Sequence, residues 1–152
     1  MLKPILLVED NPNDIELTLI ALSKSQLANQ VVIVRDGVEA LDYLHRRDVH
    51  AERAPGNPAI VLLDLKMPRM DGLEVLQAIR SAEHLKSIPV VMLTSSKEQR
   101  DVVQSYETGV NGYVVKPVDF SEFLRTISDL GLFWAVINEP PPGSRRYVKP
   151  AA

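Results

Sequence analysis

Five short apolar runs punctuate the chain, at 5–8, 31–34, 59–63, 89–93 and 112–115, each rich in Val, Ile or Leu. The runs are continuous rather than alternating, which suits strands covered on both faces. Between them the spacing turns helical. Ile15, Leu19 and Leu22 share one face of a helix, as do Leu73, Leu76 and Ile79. Helix starts are marked in the same rhythm: Asn11, Asp36, Asp71, Ser96 and Asp119 are each followed three residues later by Asp14, Glu39, Glu74, Gln99 and Glu122. A short polar side chain accepts from the open N–H groups of a first turn, and an acid at the third position answers the helix dipole. Pro12, directly after Asn11, suits a first helical position. Five such signatures in step with five apolar strands predict a (βα)5 chain of α/β class. The sheet is expected to be parallel and doubly wound, with right-handed crossovers.

Two stretches depart from this plan. Residues 45–58 are polar and end in turn-formers, so they read as a surface loop. After residue 137 periodicity stops and three consecutive prolines follow, which predicts a body over 1–137 and an extended arm over 138–152. In the last helix Phe120, Phe123, Leu124, Ile127, Leu130 and Trp134 form the expected inward stripe. Leu132, Phe133, Val136 and Ile137 are left over, making the end of that helix apolar nearly all round. Such a surplus predicts either cover by the arm or a homodimer surface, and the dimer is the favoured expectation.

The chemistry sits where the strands stop. Glu9, Asp10, Asp64, Thr94 and Lys116 all fall at strand carboxyl ends. In open parallel sheets, sites form along that edge, at the switch point of the strand order. Three carboxylates gathered there repel one another unless a cation joins them, so the cluster reads first as a divalent-metal site. The 152-residue chain has no cysteine, which removes disulfides, thiol catalysis and cysteine-held zinc from consideration. A net charge of -3 argues against a nucleic-acid partner. No apolar run nears the roughly 20 residues of a membrane span, and the start of the chain lacks a signal peptide's pattern; the expected location is cytoplasmic. His45, His50 and His84 lie in polar contexts without ligand spacing, and Ser95 and Ser96 have no evident base.

Residues 64–72 read Asp-Leu-Lys-Met-Pro-Arg-Met-Asp-Gly, and 113–117 read Tyr-Val-Val-Lys-Pro. With Glu9-Asp10 and Met92-Leu93-Thr94-Ser95, this ordered set resembles the receiver domain of two-component response regulators over roughly residues 3–134. The resemblance implies a flavodoxin-like fold with strand order 2-1-3-4-5. It implies that Asp64 takes a phosphoryl group from a histidine kinase. Mg²⁺ or Mn²⁺ would be held by Asp10 and Asp64, by Glu9 directly or through water, and by the backbone carbonyl of Lys66. Lys116 would bring positive charge to the phosphoryl oxygens and Thr94 a hydroxyl hydrogen bond. Tyr113 would be the aromatic residue whose exposure changes on phosphorylation. The loop at 45–58 and the Phe-Trp helix end before an extended arm are similar to stand-alone regulators paired with bacterial and cyanobacterial phytochromes, so a phytochrome-type kinase is the expected donor.

On this reading the chain is not an enzyme acting on an external substrate, only a phosphoacceptor with slow self-dephosphorylation. A phosphorylation-independent pseudo-receiver and a metal-dependent phosphohydrolase are the alternatives. The first would have lost an acid, the threonine or the lysine. The second usually carries a general acid two residues past its nucleophile, where Lys66 stands here.

Overall fold

The structure is a computed structural model that describes residues 4–24, 26–27, 31–117 and 119–144. The five expected strands are present as β1 (Ile5–Val8), β2 (Val31–Val34), β3 (Ile60–Leu63), β4 (Val90–Thr94) and β5 (Gly112–Val115). They alternate with α1 (Pro12–Ser23), α2 (Gly37–His45), α3 (Gly72–Ser81), α4 (Gln99–Thr108) and α5 (Phe120–Leu132). All pairings are parallel and the order is β2-β1-β3-β4-β5, the flavodoxin-like arrangement. The order reverses between β1 and β3, so their carboxyl ends flank the switch point.

Alternation along each strand divides the core in two. Leu6, Val8, Val61, Leu63, Val90 and Met92 face one side, where they pack with Leu41, Leu44, Val75, Leu76 and Ile79 of α2 and α3. Ile5, Leu7, Ile60, Leu62, Val91 and Leu93 face the other, against Ile15, Leu22, Phe123 and Ile127 of α1 and α5. Both faces of every central strand are therefore dry, which is why these strands read as unbroken apolar runs. The α1–α5 contact is close because Gly131 lies against Leu22 and Leu27, where an added Cβ would collide with the Leu22 side chain.

Four of the five expected caps form. Asn11 accepts from the amides of Asn13 and Asp14 at 2.9 and 3.1 Å. Asp36, Asp71 and Asp119 accept from Glu39, Glu74 and Glu122 at 2.8, 2.9 and 3.0 Å. At α3 the Glu74 carboxylate also accepts from the Asp71 amide, closing a capping box. The expected Ser96 cap does not form. α4 starts later, with Glu98 at the cap position and no side-chain cap bond; the Ser96 hydroxyl donates to the Asp101 carboxylate at 2.6 Å and its oxygen accepts from the Glu98 amide at 3.4 Å.

The stripe on α5 also needs one correction. Phe123 and Ile127 are buried and Leu124, Leu130 and Trp134 pack partly against the core, but Phe120 is 53% exposed. It is the first residue of the helix and lines a cleft with Asn13, Leu17 and Pro117. Beyond α5 a π-helical turn spans Phe133–Ile137, after which the backbone becomes extended at Asn138. Leu132, Phe133, Val136 and Ile137 are all exposed. The arm does not cover them as far as Ser144: it passes instead to the 45–58 segment, where the Asn57 amide donates to the Gly143 carbonyl at 3.1 Å. The expected arm residues 145–152 lie outside the described residues.

The polar 45–58 segment is held down by Arg53. Its guanidinium donates to the carbonyls of Tyr43, Ala54 and Gly56 at 2.7, 2.7 and 3.0 Å and lies 4.2 Å from the Tyr43 ring centroid. Among the described residues no helix is long and apolar enough to cross a membrane.

Candidate functional site

Strand register places the acids. The Glu9 amide donates to Val34 and the Asp64 amide to Val8, each at 3.0 Å, so both residues sit immediately past paired strand ends. The 64–72 turn then folds tightly, with the Gly72 amide donating to the Leu65 carbonyl at 2.8 Å. A Cβ at Gly72 would run into the Asp64 carbonyl oxygen, so this turn admits only glycine without rearrangement.

Glu9, Asp10 and Asp64 each offer a carboxylate oxygen within 4.8 Å of the others. Glu9 and Asp64 are buried and Asp10 is exposed, so the cluster opens to solvent on one side only. Lys116 reaches into it from the end of β5. Its Nζ lies 2.6 Å from Glu9 Oε1, 2.8 Å from Asp14 Oδ2 and 3.5 Å from Asp64 Oδ2. The Lys116 amide donates to the Thr94 carbonyl at 2.8 Å, which fixes where the lysine leaves the sheet. No described peptide bond is cis, so Lys116–Pro117 is trans.

Burial dominates the electrostatics of Glu9. It raises the carboxyl pKa to about 7, with the neighbouring Asp64 charge pushing the same way and the Lys116 contact only partly offsetting both. Burial works against the Lys116 ammonium, yet hydrogen bonds to Asp14 and Glu9 and the charge of Asp64 hold its pKa above the ordinary lysine value. Three carboxylates thus contact one ammonium, and Asp10 adds a fourth negative charge beside Glu9 and Asp64. An under-compensated pocket of hard oxygen donors, open on one side, fits a hard divalent cation with part of its water shell retained.

Thr94, the last residue of β4, is buried, and its Oγ1 accepts from the Ser96 amide at 3.3 Å. The Tyr113 ring on β5 is half-buried, and its hydroxyl donates to the Ser96 carbonyl at 3.0 Å. Burial raises the Tyr113 pKa, with Asp101 and Asp64 adding to the effect against the hydrogen bond to Ser96. Lys66 keeps its amide 3.4 Å from Asp64 Oδ1, while its ammonium points to Asp101 at 3.7 Å. All the expected site residues therefore gather along one sheet edge. Leu132, Phe133, Val136 and Ile137, expected as a dimer surface, lie elsewhere, at the far end of α5.

Sequence reasoning missed two participants. Asp14 reads as a helix-dipole acid, and its second role on Lys116 depends on a residue 102 positions away. Asp101, which no motif in the sequence marks, is buried at 5% exposure and holds Ser96. A hint existed for Asp14 alone: it stands one turn into the helix that leaves the Glu9-Asp10 edge.

Comparison with known proteins agrees with this geometry. Residues 5–128 match the profile of the response regulator receiver domain. The chain is 39% identical over 132 residues to response regulator Rcp1 of Synechocystis sp., covering 87% of this chain and 88% of that protein. It superposes on the Mn²⁺-bound form of Rcp1 with a TM-score of 0.84, covering 91% of this chain and 99% of that one at 36% identity. The phosphorylated cyanobacterial phytochrome response regulator RcpA superposes with a TM-score of 0.86 at 40% identity, over 93% of this chain and 99% of that one. The bacteriophytochrome response regulator RtBRR is 65% identical, with a TM-score of 0.73 over 95% of this chain and 87% of that one.

Proposed function

The chain belongs to the response regulator receiver family, which works in phosphorylation-based two-component signalling, and on that premise we propose that Asp64 is its phosphoacceptor, served by a phytochrome-type histidine kinase and dependent on Mg²⁺ or Mn²⁺. The observation that carries the reading is the Lys116 ammonium, brought by β5 to within 3.5 Å of Asp64 beside the three-acid cluster. The ammonium already lies against Asp64, so a phosphoryl group accepted there would sit within its reach.

An Asp64 carboxylate oxygen forms a bond to phosphorus as the P–N bond of a phosphohistidine breaks, and the electron pair stays on the donor nitrogen. Both reactants are anionic, so the approach depends on masking charge. A divalent cation held by Glu9, Asp10, Asp64 and the Lys66 carbonyl would mask most of it and polarise the phosphoryl oxygens. Lys116 supplies a fixed positive charge on the β5 side and Thr94 a hydroxyl donor on the β4 side. Tyr113, bonded to the same segment as Thr94, is the residue whose surroundings change when Thr94 engages the phosphoryl group. The names of the related regulators support a phytochrome-type kinase as donor.

The output is a protein surface on a body reaching residue 137, with the arm from 138 as an appendage. Exposed Val103 and Tyr106 on α4 and exposed Leu132, Phe133, Val136 and Ile137 beyond it support a homodimer through α4, β5 and the end of α5.

Mg²⁺-dependent phosphotransfer from purified phytochrome-type kinases tests the reading. Uptake by the unsubstituted chain and none by Asp64→Asn is expected; uptake by Asp64→Asn would overturn it. Unchanged amide exchange around Tyr113 on addition of beryllofluoride would remove the switch. A monomer in sedimentation at micromolar concentration, with and without beryllofluoride, would remove the dimer.

A further inference from the structure

Asp101 is a buried carboxylate outside the acid cluster. From the first turn of α4 its Oδ2 accepts the Ser96 hydroxyl at 2.6 Å and lies 3.7 Å from the Lys66 ammonium. Both partners stand two residues beyond a residue of the site, Ser96 beyond Thr94 and Lys66 beyond Asp64. Ser96 is engaged at every polar group: its amide donates to Thr94 Oγ1, its carbonyl accepts from Tyr113, and its hydroxyl goes to Asp101. One carboxylate thus ties together the two loops that rim the pocket. A buried charge requires both hydrogen bonds and a counter-charge, and Asp101 has one of each. Its counter-charge is loosely held, because the Lys66 side chain remains 67% exposed and can swing.

We propose that Asp101 is a positioning residue for phosphoryl acceptance: in the unphosphorylated chain it holds the Lys66 ammonium away from Asp64, and it surrenders Lys66 when a phosphoryl group occupies Asp64. The inference rests on the phosphoacceptor reading above. Phosphoryl oxygens on Asp64 compete for a cation only two residues along the chain. Once Lys66 leaves, Asp101 is a buried charge with a single hydrogen bond. The first turn of α4 must then shift toward water, carrying the Ser96 segment with it. Tyr113 feels the move through its bond to the Ser96 carbonyl. Asp101 thereby sets a cost on phosphorylation and couples it to α4.

The test uses the full chain with beryllofluoride and Mg²⁺, with affinity read by fluorine NMR. Asp101→Asn keeps an acceptor for Ser96 and removes only the charge. It is expected to tighten beryllofluoride binding about fivefold, the scale of one part-exposed ion pair. Mn²⁺ affinity by calorimetry should change by about twofold or less, since Asp101 gives no oxygen to the cluster. In a Lys66→Ala background the same substitution should change beryllofluoride affinity by about twofold or less, a coupling that a merely structural Asp101 would not produce. Equal affinity in Asp101→Asn and the unsubstituted chain, or an equal gain in both backgrounds, overturns the inference alone. No beryllofluoride binding by the unsubstituted chain overturns the phosphoacceptor reading together with it.

Discussion

Replacing Asp10 by Asn should stabilise the metal-free protein while removing its response to metal. The Asp10 carboxylate makes no described hydrogen bond or ion pair, and it lies within 4.8 Å of oxygens on Glu9 and Asp64. At that distance two unit charges repel by about 0.9 kcal/mol at the dielectric of water and about 3.5 kcal/mol at an effective value near 20. Asp10 is exposed, so the lower figure governs, and two neighbours give a relief of about 2 kcal/mol. Against this stands the lost attraction between Asp10 and the N-terminus of α1, up to about 1 kcal/mol. The net gain is about 1 kcal/mol, or a rise of about 2–4 °C in Tm for a chain of this size. Measurement belongs at pH 8, above the Glu9 pKa of about 7, where Glu9 carries its charge. Thermal unfolding in EDTA should show the variant melting higher, by a margin that shrinks as salt is raised. Mg²⁺ at ten times its Kd should stabilise the unsubstituted chain by about 1.4 kcal/mol and the variant far less. A variant no more stable than the parent in EDTA, or one stabilised equally by Mg²⁺, would refute the cluster as a charge-strained cation site.

Glu9 itself sets a pH dependence: its folded pKa of about 7 exceeds the usual carboxyl value of 4.5, so the folded state binds the extra proton and metal-free stability should fall as pH rises between those values. Glu9→Gln should flatten that slope in urea titrations run at pH 5, 6, 7 and 8. At Asp36, burial opposes the charged form but the Glu39 amide and Arg69 outweigh it and lower the pKa. Its stabilisation is therefore present above the unfolded carboxyl value and lost as pH falls through the folded one, and Asp36→Ala should cost about 1 kcal/mol at pH 7 by chemical denaturation and less in acid. Gly72→Ala drives a Cβ into the Asp64 carbonyl; about 1–3 kcal/mol of lost stability is expected, together with slower phosphoryl uptake from acetyl phosphate.

Whatever depends on neighbours a few residues apart was legible in the sequence. Strand burial on both faces wrote itself as unbroken runs such as Ile60–Leu63, and the caps at Asn11, Asp36, Asp71 and Asp119 follow from side chains that reach only three residues ahead. The site edge was also readable, because a (βα)5 chain puts every strand's carboxyl end on one side. Tertiary structure decided the contests between a local and a distant partner. Ser96 has the local spacing of a helix cap, but its hydroxyl donates to Asp101, a carboxylate that packing buries. Its oxygen accepts from Glu98 only two residues on, and the helix starts later. Asp14 satisfies its dipole role and still turns its side chain to Lys116, because an ammonium drawn into a buried acid pocket gathers every carboxylate within reach. Phe120 keeps the helical spacing of its stripe and loses its burial, lying at the first position of α5 beside a cleft with Asn13, Leu17 and Pro117. Periodicity sets which residues share a face; whether that face meets the core depends on where the element ends, which only packing determines.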